Sequence, residues 1–179
     1  MNIFKKLIRN FYENKLDRIK IISQLRRYHE KKYISMELLS MLLGVFKVQE
    51  TRVKDIMIPR SNMVIIKKNS SISEILPLII KSSHSRFPVI LENKDEVVGI
   101  LLAKDLLKFI NNDTEIFNID EIIRPSVIIP ETKKLNVLLS EFKSGRNHLA
   151  VVVDEYGGVS GLITIEDVLE QIVGDIIDE

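Results

Sequence analysis

Thr164 and Asp167 stand three residues apart at the end of an apolar run, and Gly161 stands three residues before Thr164. A carboxylate in such a place can accept hydrogen bonds from two neighbouring hydroxyl groups, and ionised acceptors make the stronger bonds. A threonine hydroxyl beside it both donates and accepts. Glycine lets another group approach the backbone closely. The same Thr-x-x-Asp spacing is also a helix N-cap with an acidic residue in the first turn. Spacing alone reads first as the cap, and both roles can coexist on one pair of side chains.

Other chemistry finds little support. His29, His84 and His148 lack the clustering that a metal site needs, and Asp154-Glu155 and Glu166-Asp167 read as solvated acids. Gly157-Gly158-Val159-Ser160-Gly161 has no following Lys-Ser/Thr, so it reads as a hairpin turn rather than a phosphate loop. No Ser-His-Asp grouping is recognisable. The absence of cysteine excludes disulfides, thiolate metal sites and cysteine nucleophiles. No enzymatic activity is expected.

Side chains of this kind need elements to hold them, and the chain supplies the same set twice. Phe87–Ile90, Val97–Leu101 and Lys104–Leu107 correspond to Leu149–Val152, Val159–Ile163 and Glu166–Leu169 at a constant offset of 62. Upstream, Asp55–Pro59 matches Glu121–Pro125 at offset 66, so the first unit carries four extra residues, placed within Arg60–Met63. Each unit reads as a helical turn ending near a proline, a short strand (Met63–Ile66, Val127–Ile129), a helix, two strands and a closing helix. The paired strands are Phe87–Leu91 with Glu96–Leu101, and Val151–Val153 with Val159–Ile163. The closing helices are Lys104–Ile110 and Ile165–Val173. Ser71 or Ser73 caps the first inner helix, and Pro77 is expected early in it, where proline is tolerated. One unit is too small to bury its own sheet and helices, whereas two can share a core. The predicted class is α/β (α+β): two β-α-β-β-α repeats, 52–111 and 118–173, packed as an intramolecular pseudo-dimer behind N-terminal helices.

The 179 residues are 45% hydrophobic and 28% charged, which suits a globular protein. A net charge of +1 gives no reason to expect a nucleic-acid partner. The N-terminus has no uninterrupted apolar core of a signal peptide, and no stretch approaches the ~20 apolar residues of a membrane span. Charge is uneven: residues 1–34 hold ten basic against three acidic side chains. This basic arm reads first as a solvated tail, with a membrane-surface or partner-binding helix as alternatives. Residues 35–51 form a helical lead-in, with Ser35 as cap and Leu39, Leu42, Leu43 and Phe46 on one face.

The repeat arrangement resembles a CBS domain pair, or Bateman module. The stretches VKDIMIPRSNMVII (53–66), HSRFPVI (84–90) and HLAVVVDEYGGVSGLITIEDVLEQIVGDIIDE (148–179) are similar to the CorC/HlyC family of magnesium and cobalt efflux or hemolysin-like proteins. The resemblance covers roughly residues 35–179. Many relatives carry a membrane-spanning domain before the pair and a transporter-associated domain after it; residues 174–179 read as the start of a linker to the latter, so a shortened form is expected.

The resemblance implies that Gly161, Thr164 and Asp167 hold the ribose of ATP or AMP, with Mg²⁺ able to ride on the phosphates. It further implies an adenine slot lined by Ile58, Pro59 and Met63, with His84 and Arg86 reaching the phosphates; a guanidinium fork suits that role. In the first repeat Leu102 stands where Ser or Thr is expected, so a second site at Asp105 should be weak or empty. A homodimer, as similar modules form, is also implied. The absence of cysteine fits a cytoplasmic module, and the charge of the arm alone raises a membrane surface at the inner membrane face, or a membrane transporter, as its partner. The alternative is a scaffold that dimerises and binds no ligand.

Overall fold

A computed structural model describes residues 3–110 and 117–174, with side chains from Asp17 onward except that of Ile110. The chain divides into two compact units, Met1–Gln49 with Leu169–Glu179, and Glu50–Val168.

In the first unit, α1 spans Ile3–Glu30 and α2 spans Met36–Val48. The arm is therefore a continuous helix, not the solvated tail that its charge suggested. It contains no glycine or proline, and its Lys, Arg and Leu residues are good helix formers. Arg18, Ile22, Leu25 and His29 are the partly covered positions of its described face, at the three-to-four spacing of a helix packed on one side. Arg18 donates from Nη2 to the Phe46 carbonyl at 2.8 Å and lies 5.6 Å from the centre of the Phe46 ring, tying α1 to α2. Ser35 caps α2 by accepting from the Leu38 N–H at 3.1 Å, as expected. Gly44 lies so close to the last turn of the C-terminal helix that an added β-carbon would stand 2.6 Å from the Ile172 carbonyl.

The second unit holds both repeats. Its elements are β1 (Ile58–Pro59), β2 (Ile66–Lys67), α3 (Ile72–Ser82), β3 (Arg86–Ile90), β4 (Val97–Leu102), α4 (Leu107–Ile110), β5 (Val127–Pro130), α5 (Leu135–Gly145), β6 (Leu149–Val153), β7 (Val159–Thr164) and the first turn of α6 (Ile165–Val173). One sheet has the order β2-β3-β4, the other β1-β7-β6-β5. Within each repeat a parallel pair (β2/β3, β5/β6) is followed by an antiparallel hairpin (β3/β4, β6/β7).

The strand at the edge of the second sheet comes from the first repeat: β1 pairs antiparallel with β7, Ile58 opposite Leu162 and Pro59 opposite Gly161. Proline has no N–H to donate and so suits an edge. The exchange is reciprocal. Arg124, pseudo-equivalent to Ile58, bridges Ile100 of β4 through bonds of 2.8 and 2.9 Å. The segment entering the first repeat is also pinned to the second, with Val53 N–H on the Lys133 carbonyl and Leu135 N–H on the Thr51 carbonyl. Each repeat thus completes the other.

Burial follows the same logic. Ile66, Ile75, Phe87, Val89, Leu101 and Leu106 form a core that also takes in Ile119 and Ile122 from the entrance of the second repeat. Met63, Ile100, Leu149, Val151, Val159 and Leu162 form a second cluster drawn from both repeats. In the turn of the β3–β4 hairpin, Asp95 accepts from both terminal guanidinium nitrogens of Arg60 at 2.6 Å and from the Val159 N–H at 3.0 Å. The Val159 N–H and then Arg60 hold the Asp95 carboxyl below the usual carboxylate range.

Four local expectations shift. The strand expected at Met63–Ile66 pairs only at Ile66–Lys67, because Met63 is turned into the core between the repeats. The Ile58–Pro59 strand was not anticipated, since its partner lies about a hundred residues away. α3 begins at Ile72 with Ser71 and Glu74 as a capping box, so Pro77 falls in the second turn rather than the first. The carbonyl it leaves unpaired, four residues back, belongs to the exposed Ser73. The helix expected at Lys104–Ile110 splits into a 3₁₀ segment, Ala103–Leu106, and the four-residue α4. Its N-cap is Leu102, which has no side-chain acceptor to offer the first N–H groups.

Candidate functional site

A cleft of about 310 Å³ opens between the repeats at the start of α6. Its volume is at the lower end of small-ligand pockets. Thr164, Glu166 and Asp167 form one wall; Ser83, His84, Ser85 and Arg86, on the turn from α3 into β3, form another. Ile58, Met63, Val64, Leu149 and Leu162 supply apolar surface between them. Six of the residues singled out from sequence therefore meet in one place: Thr164, Asp167, Arg86, His84, Ile58 and Met63.

Pro59 and Gly161 do not line this cleft. They face one another in the β1–β7 pair behind it. The Ile58 carbonyl occupies the space that a β-carbon on Gly161 would need, with the Ile58 carbonyl carbon 3.1 Å away. The close approach that calls for glycine here is made by the chain's own backbone, not by a ligand. Gly99 repeats the arrangement against the Arg124 carbonyl, at 2.8 Å.

The cap predicted from spacing is formed. Asp167 Oδ2 accepts from the Thr164 N–H and from the Thr164 hydroxyl, both at 2.7 Å. The Thr164 Oγ1 accepts in turn from the Asp167 N–H at 3.2 Å. Backbone and carboxylate hold each other at the point where β7 becomes α6, and these three bonds leave Asp167 Oδ1 to other partners. The Thr164 proton is already committed, so a ligand would meet the threonine oxygen chiefly through its remaining lone pair.

Arg86 comes from the first repeat and is 28% exposed; its Nη1 lies 3.9 Å from Glu166 Oε1 in the second. The same carboxylate oxygen lies 3.7 Å from His148 Nδ1. Glu166 is exposed, as the reading of a solvated acid has it, and also sits beside Arg86. Nothing in its sequence position signals this, because the contact spans eighty residues. The His84 ring lies 6.1 Å from that of Phe87, and Phe87 itself is fully buried in the first core.

The pseudo-equivalent acid behaves differently. Asp105 Oδ2 is engaged by Arg124 Nη2 at 2.9 Å, and Leu102 offers no hydroxyl beside it. Among the described residues, no three or more His, Cys, Asp or Glu side chains gather as a metal site would require. No described helix is long and apolar enough to cross a membrane.

Two β-α-β-β-α units that exchange edge segments around a central cleft define a tandem α/β-repeat architecture, and the family model for the CBS domain matches residues 53–112 and 119–174. The chain belongs to the CBS domain family, as a CBS pair of the CorC type. It is 48% identical over 169 residues to the magnesium and cobalt efflux protein CorC of Salmonella typhimurium, covering 94% of this chain and 58% of that protein. The chain thus spans under two thirds of the length of this curated relative. The CBS domain of a bacterial CNNM/CorC family Mg²⁺ transporter, whose structure is known in complex with ATP, is 38% identical, with a TM-score of 0.72, and the match covers 76% of this chain and 97% of that one. A CBS-domain pair with bound AMP from Klebsiella pneumoniae is 29% identical, with a TM-score of 0.62, covering 70% and 100%.

Proposed function

We propose that the cleft between the repeats binds an adenine nucleotide and that the module reports this binding to a magnesium or cobalt efflux system. The observation that carries the reading is the convergence of Asp167 from the second repeat, Arg86 from the first and an apolar wall drawn from both on one cleft. Asp167 Oδ1 accepts from the ribose hydroxyls, the apolar wall takes the adenine, and Arg86 with His84 meets the phosphates, with Mg²⁺ entering on those phosphates. The ATP and AMP complexes of the related CBS pairs support the class of ligand. The CorC relatives support the connection to ion efflux. The module acts without catalysis: nucleotide that touches both repeats favours one arrangement of them, and a homodimer or a cytoplasmic face of a transporter responds to that shift.

Calorimetric titration of ATP, ADP and AMP, with and without Mg²⁺, into the parent chain and Asp167→Ala tests the assignment. Saturable binding by the parent, weakened at least tenfold in the variant, is the expected result. Absence of heat with all three in folded protein favours the second reading, a dimerising scaffold. The completed Thr164–Asp167 cap is the observation on its side, since the pair then has a structural duty of its own.

A further inference from the structure

In the first unit, α1 and α2 carry an apolar strip open to solvent. Ile21 and Tyr28 stand seven residues apart on one stripe of α1, and Leu38 and Val45 stand seven apart on one stripe of α2. They are 49%, 40%, 43% and 47% exposed, and Tyr33, in the turn that joins the helices, is 72% exposed. The Tyr33 ring lies 6.1 Å from that of Tyr28, so the turn closes one end of the strip. The other flanks of the same helices, with Ile22 and Arg26 on α1 and Leu43 and Gly44 on α2, line a groove against residues 170–174. The strip therefore lies on the outer side of the helix pair, away from that groove.

Cations run along its edge. Lys20, Arg27 and Lys31 are seven and four residues apart, beside Ile21 and Tyr28 and opposite the covered face of α1, and all three are exposed. The Lys31 N–H bonds the Arg27 carbonyl at 3.1 Å, which carries the helical row past Glu30. Asp17 lies 3.3 Å from Lys20 and offsets that one cation in part. An exposed apolar row with a charged rim marks an interaction surface. Laid over the backs of two helices, the row is convex and gives a folded partner no hollow in which to seat an anchor, whereas the headgroup boundary of a bilayer conforms to it. The sign of the rim selects an anionic surface, and the ten basic against three acidic residues of 1–34 point the same way. We propose that this outer face of α1 and α2 docks on an anionic lipid surface, with the strip entering the headgroup boundary and Lys20, Arg27 and Lys31 meeting the lipid phosphates. The docking does not depend on nucleotide binding between the repeats.

The test is sedimentation of the full chain with vesicles of phosphatidylcholine, alone or with about 30% phosphatidylglycerol, in about 0.1 M salt. The variants are Arg27→Glu/Lys31→Glu, Ile21→Ser/Tyr33→Ser and, as a control in the second unit, Lys81→Glu/Lys143→Glu. All six positions are exposed, so each variant is expected to melt like the parent, which circular dichroism verifies. A cation near an anionic surface strengthens binding about fivefold, so reversing Arg27 and Lys31 should weaken it at least about tenfold. Ile21→Ser/Tyr33→Ser should weaken it at least about fivefold through lost apolar burial, and the control should bind like the parent. No binding by the parent overturns the proposal, as do equal binding to neutral vesicles, full binding by either variant of the face, or equal loss in the control. If Ile21→Ser/Tyr33→Ser instead binds vesicles like the parent but turns a dimer into a monomer in analytical ultracentrifugation, the strip is a protein contact and the lipid assignment fails. Nucleotide titration of Arg27→Glu/Lys31→Glu should match the parent, so failure of the nucleotide reading leaves the vesicle result standing.

Discussion

Gly161→Ala separates a structural demand for glycine from a ligand's demand. The new β-carbon would overlap the Ile58 carbonyl oxygen and stand 3.1 Å from its carbon and 3.4 Å from Met57 Sδ. Backbone atoms cannot rotate out of the way as a side chain can, so β1 must move. β1 is only two residues long and pairs with β7 alone. Its easiest escape is to peel off the sheet, which loosens the Ile58–Leu162 pairing. Overpacking of this kind costs typically about 1–3 kcal/mol. With the edge pairing lost as well, a cost near the upper end, about 2–3 kcal/mol, is expected. For a chain of this size each kcal/mol moves the melting temperature by about 2–4 °C, so Tm should fall by roughly 4–12 °C. Thermal melts followed by circular dichroism, without nucleotide, provide the measurement. Gly157→Ala is the comparison: its neighbourhood is open and only its φ of 85° is unfavourable, so about 1 kcal/mol is expected. A Gly161→Ala protein melting within 2 °C of the parent, or deficient only when nucleotide is added, would refute the structural role.

Thr164→Ala removes the hydroxyl and both of its bonds to Asp167 in the cap, and should cost about 1 kcal/mol. Faster amide exchange at residues 165–168 is expected as the helix start approaches the 3₁₀ form that follows Leu102; unchanged exchange contradicts the cap's role. Asp95 has a depressed carboxyl pKa in the folded chain, so the stability it contributes is present above the unfolded value near pH 4 and is lost as pH falls through the lower folded value. Asp95→Asn should flatten the acid limb of a stability-versus-pH curve below about pH 4, and a parallel curve for parent and variant would count against the clamp. Leu138→Ala empties a fully buried position of α5 and should cost about 2–5 kcal/mol in urea unfolding. Val137→Ala, next to it but 46% exposed, should cost under about 1 kcal/mol, and similar midpoints for the two would contradict the assigned face.

The repeats were legible because two copies of one pattern carry their own alignment: the 62-residue offset holds through both hairpins and the closing helices. The closing helix Ile165–Val173, the Ser35 cap and the apolar face of α2 follow from local side-chain chemistry, and local chemistry is what a sequence states directly. Thr164 and Asp167 were equally legible as a pair, since their bonds run across three residues. Leu102, standing where the second repeat has Thr164, also leaves the following helix without a side-chain cap, which the sequence reading had not drawn from it.

What the sequence did not contain was any relation between distant segments. The exchange of β1 onto β7, the Arg124 bridge to Ile100 and the Asp95 clamp on Arg60 and Val159 each join positions whose spacing carries no periodic signal. The helical arm was masked by its charge: ten cations among 34 residues resemble a solvated tail until Arg18 finds the Phe46 carbonyl and ring. Gly161 was read as making room for a ligand, and what lies against it in the fold is the Ile58 carbonyl, because a glycine announces a close approach without naming what approaches. The sequence by itself determined two repeats, their order of elements and the chemistry of one strand-to-helix junction. Tertiary structure alone decided which walls face each other across the cleft. Charge, size and hydrogen-bonding capacity belong to single residues, whereas a site belongs to the distances between them.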